Sequence, residues 1–153
     1  EKTFLSCRKE QVSELENFDT IPDTFDDLGA FGGILSAFRN NPNVAWLVVA
    51  CDLPLINEKA IEELINQQNY SKIATAFHNE ATGFPEPLIT IWQPRSYPVL
   101  LQFLAQGYAC PRKVLINSDI ETVQPSDMNF LKNVNKPEEY EALRRSGFLT
   151  RHK

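Results

Sequence analysis

Asp52 closes the most hydrophobic segment of the chain. Trp46 to Asn57 reads WLVVACDLPLIN, an apolar run that ends in a carboxylate followed by leucine and proline. In open parallel sheets, ligands bind beyond the carboxyl ends of the strands, where loops converge. A carboxylate there can hold a hard cation such as Mg²⁺, which takes one or two carboxylates and keeps water and phosphate oxygens in its other positions. The same residue can also do no more than cap the turn into the next helix. Three further groups carry chemistry. Asp23, Asp26 and Asp27 precede Gly29-Ala30-Phe31-Gly32-Gly33; glycines at a helix start let a ligand approach backbone N–H groups, and the helix dipole there favours anions. That run has the spacing of neither a Walker loop nor a dinucleotide fingerprint, and close packing of the helix on a sheet explains it as well. Asn133 and Asn135 stand before a terminal helix, as caps or as neutral oxygen donors beside a metal held by Asp52. Gly83 to Leu88, GFPEPL, reads as a loop stiffened by two prolines at the entry to a strand, which suits a substrate-facing rim or, equally, a plain strand entry.

The elements that must position these groups follow from period and punctuation. Residues 3–7, 20–22, 45–51, 72–77, 87–92 and 120–123 read as strands, and 45–51, apolar throughout and valine-rich, reads as a central parallel strand covered on both faces. Phe31, Ile34, Leu35 and Phe38 share one face of a helix. Asn57 reads as the N-cap of a helix with Glu58 in its first turn and Ile61, Leu64 and Ile65 as its apolar stripe. Residues 96–106 form a helix with Pro98 in the first turn and Gly107 as its C-terminal stop, and PEEYEALRR (137–145) has the charge polarity that suits a helix dipole. Gln11 to Glu16 is a brief helix or turn. Strands alternating with helices indicate an α/β protein with a mainly parallel sheet.

Composition limits the function classes. The 153 residues amount to about one domain, with 42% hydrophobic and 23% charged residues. A net charge of −5 argues against a broad nucleic-acid footprint while allowing a single nucleotide held by local groups. The longest apolar run is far below the ~20 residues that cross a bilayer, so no membrane association is expected and a cytoplasmic location is the default. Cys7, Cys51 and Cys110 show no metal-binding spacing and read as reduced, buried thiols.

Asp23 followed by GAFGGILSAF, then LVVACDLPLI, FPEPLITIW and NVNKPEEYEAL, in this order and over essentially the whole chain, resembles the molybdenum cofactor guanylyltransferase family and, more broadly, the MobA-like nucleotidyltransferases. The resemblance implies a three-layer α/β/α Rossmann-like nucleotidyltransferase fold over 1–153 as one domain. It implies transfer of a nucleoside monophosphate from GTP, or CTP in a close variant, to the terminal phosphate of an acceptor such as molybdopterin, with Mg²⁺ as cofactor. Asp52 then holds the metal and Asn135 lies beside it, the two forming the catalytic pair. Asp23, Gly32, Gly33 and, less directly aligned, Ser6 face the nucleoside. Arg112, Lys113 and Asn133 match positions that contact the acceptor. Self-association or partner enzymes of cofactor biosynthesis are the further partners implied. The family's Gly-rich loop, which follows a first strand and carries an arginine and a lysine, has no match here. The resemblance therefore implies a domain whose first strand, loop and first helix, roughly 40 residues, are absent from this stretch.

Two other classes remain open. A non-catalytic binding domain would keep the fold without Mg²⁺-dependent nucleotide affinity, and a related enzyme would transfer to a sugar phosphate. A phosphoacceptor receiver domain also ends a strand in aspartate, but it needs an acidic pair at the tip of its first strand, which Thr3 to Arg8 does not supply.

Overall fold

The computed structural model describes residues 2–146. Strands β1 (Leu5–Cys7) and β2 (Thr20–Pro22) form a parallel pair, joined by a 3₁₀ turn at Lys9–Glu14. A four-stranded sheet follows, made of β3 (Trp46–Val49), β4 (Ala74–Asn79), β5 (Phe84–Trp92) and β6 (Glu121–Val123) in the order β3-β5-β4-β6. Because β5 is antiparallel to both β3 and β4 while β6 is parallel to β4, three strands share one direction and only β5 opposes them.

Helices cover both faces, as expected for three layers. On one face α1 (Ala30–Asn40), α3 (Ser96–Ala105) and α4 (Pro111–Ile116) bury Phe31, Leu35, Phe38, Leu100 and Val114 against Ala74, Ala76 and Trp92. On the other, α2 (Glu58–Asn66) and a 3₁₀ turn at Met128–Leu131 bury Ala60, Leu64 and Phe130 against Phe77, Ile89, Ile91 and Val123. The period-2 alternation of side chains along β4 and β5 divides the core into these two halves. Neither α4 nor the second 3₁₀ turn is anticipated from the sequence, since both are too short to show a period. The terminal helix α5 (Pro137–Arg145) lies where its charge polarity puts it.

The caps agree with their residues. Asn57 Oδ1 accepts from the Ala60 N–H at 3.1 Å, and Asn57→Ala is expected to lower stability by about 1 kcal/mol, read as a shift in the denaturation midpoint at unchanged slope. Gly107, at φ +84°, ends α3: its N–H donates to the Leu104 carbonyl and that of Tyr108 to the Phe103 carbonyl, both at 2.9 Å, and the Phe103 and Tyr108 rings meet over the turn.

Three expectations are corrected. Among the described residues β3 is not a central parallel strand: it lies at the edge of its sheet, is only half-buried, and its hydrogen-bonded neighbour β5 is antiparallel. Its apolar sequence reflects a capacity for burial, and among the described residues no strand pairs with its other side or with the outer side of β1. The Phe4 and Trp46 rings, edge-on at 5.8 Å, span from one sheet to the other. GFPEPL is not a loop but the start of β5, turned back on β4 through residues 80–83, where Asn79 Oδ1 accepts from the Ala81 N–H and Gly83 adopts φ +74°. Of the cysteines only Cys7 is buried; Cys51, just past the end of an edge strand, and Cys110, at the start of α4, are exposed.

Candidate active site

Beyond the end of β3 the chain turns sharply, and Leu53 anchors that turn by inserting into the core beside Leu64 and Phe130. Asp52 is thereby fixed at the floor of a cleft lined also by Ala50, Glu86, Arg112 and Asn133. The segment before α5 docks along it: the Val134 N–H donates to the Asp52 carbonyl at 2.9 Å, and Asn133 Nδ2 donates to Asp52 Oδ2 at 3.0 Å. Asp52 Oδ1 is buried with no protein partner, and so is the Nε–H of Arg112 across the cleft. A buried polar atom without a partner is costly, so a site holding one orphaned anion oxygen and one orphaned cationic donor is built for a ligand carrying both signs.

The asparagines therefore divide. Asn133 is the one that touches Asp52, whereas Asn135 stands two residues on with its backbone N–H donating to Glu139 Oε2 at 3.2 Å. The basic pair divides too. Arg112 lines the cleft, while Lys113 lies over the Tyr108 ring at 3.5 Å.

A second cluster forms where β1, β2 and α1 meet, and none of its residues lines the Asp52 cleft. Ser6 Oγ donates to Asp23 Oδ1 at 3.4 Å, and Gly33 lies so close that an added Cβ would stand 2.7 Å from Ser6 Oγ and 3.7 Å from Asp23 Oδ1. Gly32, one residue earlier, instead faces the Phe25 carbonyl and serves the packing of α1 on the preceding loop. The chain enters α1 through Gly29 at φ +53°.

Burial raises the Asp23 pKa above its ordinary value of 3.8; the Ser6 hydroxyl pulls it back, and Asp26 adds a further upward push. A carboxylate whose folded pKa is raised makes the folded state bind more protons in the window above 3.8, so its ionisation costs stability as pH rises through that window. Asp23→Asn is therefore expected to raise the melting temperature slightly at pH 7, with the gain vanishing below pH 4. Thermal melts at the two pH values check the sign.

Sequence reading missed Glu86 as a site residue. Its signal was the proline on each side, which implied a rigid backbone without saying where the side chain would point. Among the described residues no group of three or more His, Cys, Asp or Glu is gathered for a metal, and no helix is long and apolar enough to cross a membrane.

A Synechocystis protein named molybdenum cofactor biosynthesis bifunctional protein is 36% identical over 92% of this chain, which spans 41% of that relative's length. The molybdenum cofactor guanylyltransferase of Pseudomonas putida is 29% identical over 88% of the chain and 71% of its own length. In fold, the crystal structure of molybdopterin-guanine dinucleotide biosynthesis protein A from Archaeoglobus fulgidus superposes with a TM-score of 0.77 at 20% identity, covering 94% of this chain and 77% of its own. Residues 1–123 match the model of the MobA-like NTP transferase domain, and with Asp52, Asp23 and the α1 glycines all inside that span, the chain belongs to the MobA-like NTP transferase family.

Proposed function

We propose that this chain is the acceptor and metal side of a molybdenum cofactor guanylyltransferase, moving GMP from GTP to the terminal phosphate of molybdopterin with release of pyrophosphate. The observation that carries the reading is the Asp52 cleft, where an unpartnered carboxylate oxygen and an unpartnered guanidinium N–H share one wall-to-wall space at the end of β3. The names of the relatives agree with it.

An oxygen of the acceptor phosphate attacks the α-phosphorus of GTP in line; the new P–O bond forms as the bond to the β-phosphate oxygen breaks, and pyrophosphate leaves. Arg112 offers fixed positive charge to the phosphate of the acceptor, which in a partly dry cleft is worth more than in water. Ser6 and Asp23 present a hydroxyl and a carboxylate to the nucleoside, and Gly33, with no side chain, leaves the room beside them. Asp52 is the residue that would hold Mg²⁺, with Asn133 orienting its other oxygen and Asn135 nearby. The donor set fits, because one carboxylate with an orphaned oxygen and no cage of further acids suits an ion that keeps its waters and phosphates. Bound there, Mg²⁺ would neutralise charge on the transferring phosphates.

The test is nucleotide transfer by the full-length encoded protein, followed with α-labelled GTP or CTP and molybdopterin, with and without Mg²⁺. Label entering the acceptor from GTP alone, and only with metal, supports the reading. Label from CTP changes the base, and absence of both Mg²⁺-dependent nucleotide binding and transfer leaves the binding-domain reading in its place.

A further inference from the structure

Where β4 and β5 pair, the register breaks beside the cleft. Ala76 faces Thr90 and His78 faces Pro85, so β5 spends five residues where β4 spends two. Four residues of β5, Glu86 to Ile89, stand there against Phe77 alone in β4, and the proline on each side of Glu86 has no N–H with which to restore the ladder. Bulges of this kind bend a strand and re-aim a side chain, and they gather next to active sites. Here the re-aimed side chain is that of Glu86, which lines the Asp52 cleft.

Both oxygens of Glu86 are engaged. Oε1 accepts from Asn79 Nδ2 at 2.7 Å, and Arg112 Nη2 donates to Oε2 at 3.2 Å and more weakly to Oε1 at 3.4 Å. Asn79 is itself fixed, buried at the end of β4 with its own oxygen accepting from the Ala81 N–H. The Glu86 side chain is 17% exposed and that of Arg112 39%, so the pair sits at the cleft wall with one guanidinium edge toward solvent. The buried Nε–H of Arg112 has no partner. We propose that Glu86, held by Asn79 on a proline-framed bulge, is a positioning residue: it pins one nitrogen of Arg112 so that the remaining N–H groups face the phosphate of the acceptor. This rests on the proposed function for its ligand, but not for the pin.

The chemistry sets the sign of the test. A carboxylate next to a phosphate site could act instead by repulsion, in which case removing its charge would tighten acceptor binding. A pin acts the other way. Glu86→Gln removes the carboxylate charge and, with the amide oxygen kept on Asn79, turns the Oε2 position into an NH₂ that meets the Arg112 Nη2 donor head-on, so the guanidinium loosens. The acceptor KM should rise roughly tenfold, the loss of one well-aligned charged hydrogen bond. kcat and the KM for GTP should stay within about twofold of the parent enzyme, as expected when binding common to ground and transition states is lost. The double variant Asn79→Asp with Glu86→Gln reverses the polarity of the inner hydrogen bond, keeps its net charge, and should restore the acceptor KM.

The second readout needs no activity. The Arg112 Nε–H signal in ¹H–¹⁵N spectra, assigned by its disappearance in Arg112→Lys, should exchange slowly with water in the parent protein, quickly in Glu86→Gln, and slowly again in the double variant. An unchanged signal in Glu86→Gln overturns the pin, as does an acceptor KM that falls or stays put. If the parent protein transfers no nucleotide at all, the proposed function falls and the Arg112 signal alone decides the role of Glu86.

Discussion

Asp52→Asn in the full-length encoded protein is expected to lower kcat for GMP transfer by roughly 10²- to 10³-fold, the scale seen when one electrostatic contact to a developing charge is removed. Asparagine keeps the size of the side chain, and its carbonyl can still accept from Asn133, while the Val134 N–H bond goes to the backbone of residue 52 and is untouched. The turn is anchored by Leu53, not by the carboxylate. The melting temperature should therefore move by only a few degrees, the equivalent of about 1 kcal/mol or less. Steady-state kinetics at saturating GTP over a range of Mg²⁺ concentrations, alongside a thermal melt, separate the two effects. Near-normal turnover would remove Asp52 from the chemistry and return it to the role of a turn cap. A variant that fails to fold would show that the orphaned oxygen had a structural partner.

Gly32→Ala and Gly33→Ala are adjacent identical changes with opposite expected outcomes. At Gly32 the new Cβ would stand 2.5 Å from the Phe25 carbonyl oxygen, a backbone atom that cannot swing away, with Leu28 Cβ at 3.2 Å behind it. The helix or the loop must shift, at a cost of roughly 1–3 kcal/mol for overpacking. Alanine returns up to about 1 kcal/mol of helix propensity, so the net loss should be near 1–2 kcal/mol. At Gly33 the nearest atom is the Ser6 hydroxyl at 2.7 Å, a side chain with other rotamers. Ser6 can turn aside, so stability should hold or rise, but its bond to Asp23 breaks and a methyl group fills the space beside the two side chains. Nucleotide affinity should then fall by about tenfold or more, on the loss of one or two polar contacts. Denaturant melts and titration calorimetry on both variants read the contrast. Equal stability losses at the two positions would mean that α1 tolerates no side chain anywhere along this edge, and the separation of a packing glycine from a binding glycine would be wrong.

The helices were legible because their signals are local. Phe31, Ile34, Leu35 and Phe38 are buried on one stripe as their spacing required, and Asn57 and Gly107 sit at the ends that their conformational preferences select. Asp52 stood out as a candidate for the same reason: an abrupt carboxylate after an apolar run is a feature of twelve consecutive residues, and the fold puts it in a cleft. The proposed roles of Ser6, Asp23 and Gly33 came from the resemblance, and the fold adds that the three meet.

What the linear chain determined is the class of the fold, the identity of most elements and the residues that could do chemistry. Pairing was decided elsewhere. Period-2 patterns report which face of a strand is buried but not which strand lies alongside it, so the edge position of β3 and the reversed direction of β5 were open until the sheet assembled. The partners of the site residues were open for the same reason. Asp52 meets Asn133 across 81 residues of sequence, and Arg112 meets Glu86 across 26. Each contact depends on how a turn, a bulge and a short helix converge at one end of the sheet. A carboxylate's type and position are written locally, but its neighbours are set by long-range packing, and only the tertiary structure could assign Arg112 a counter-ion.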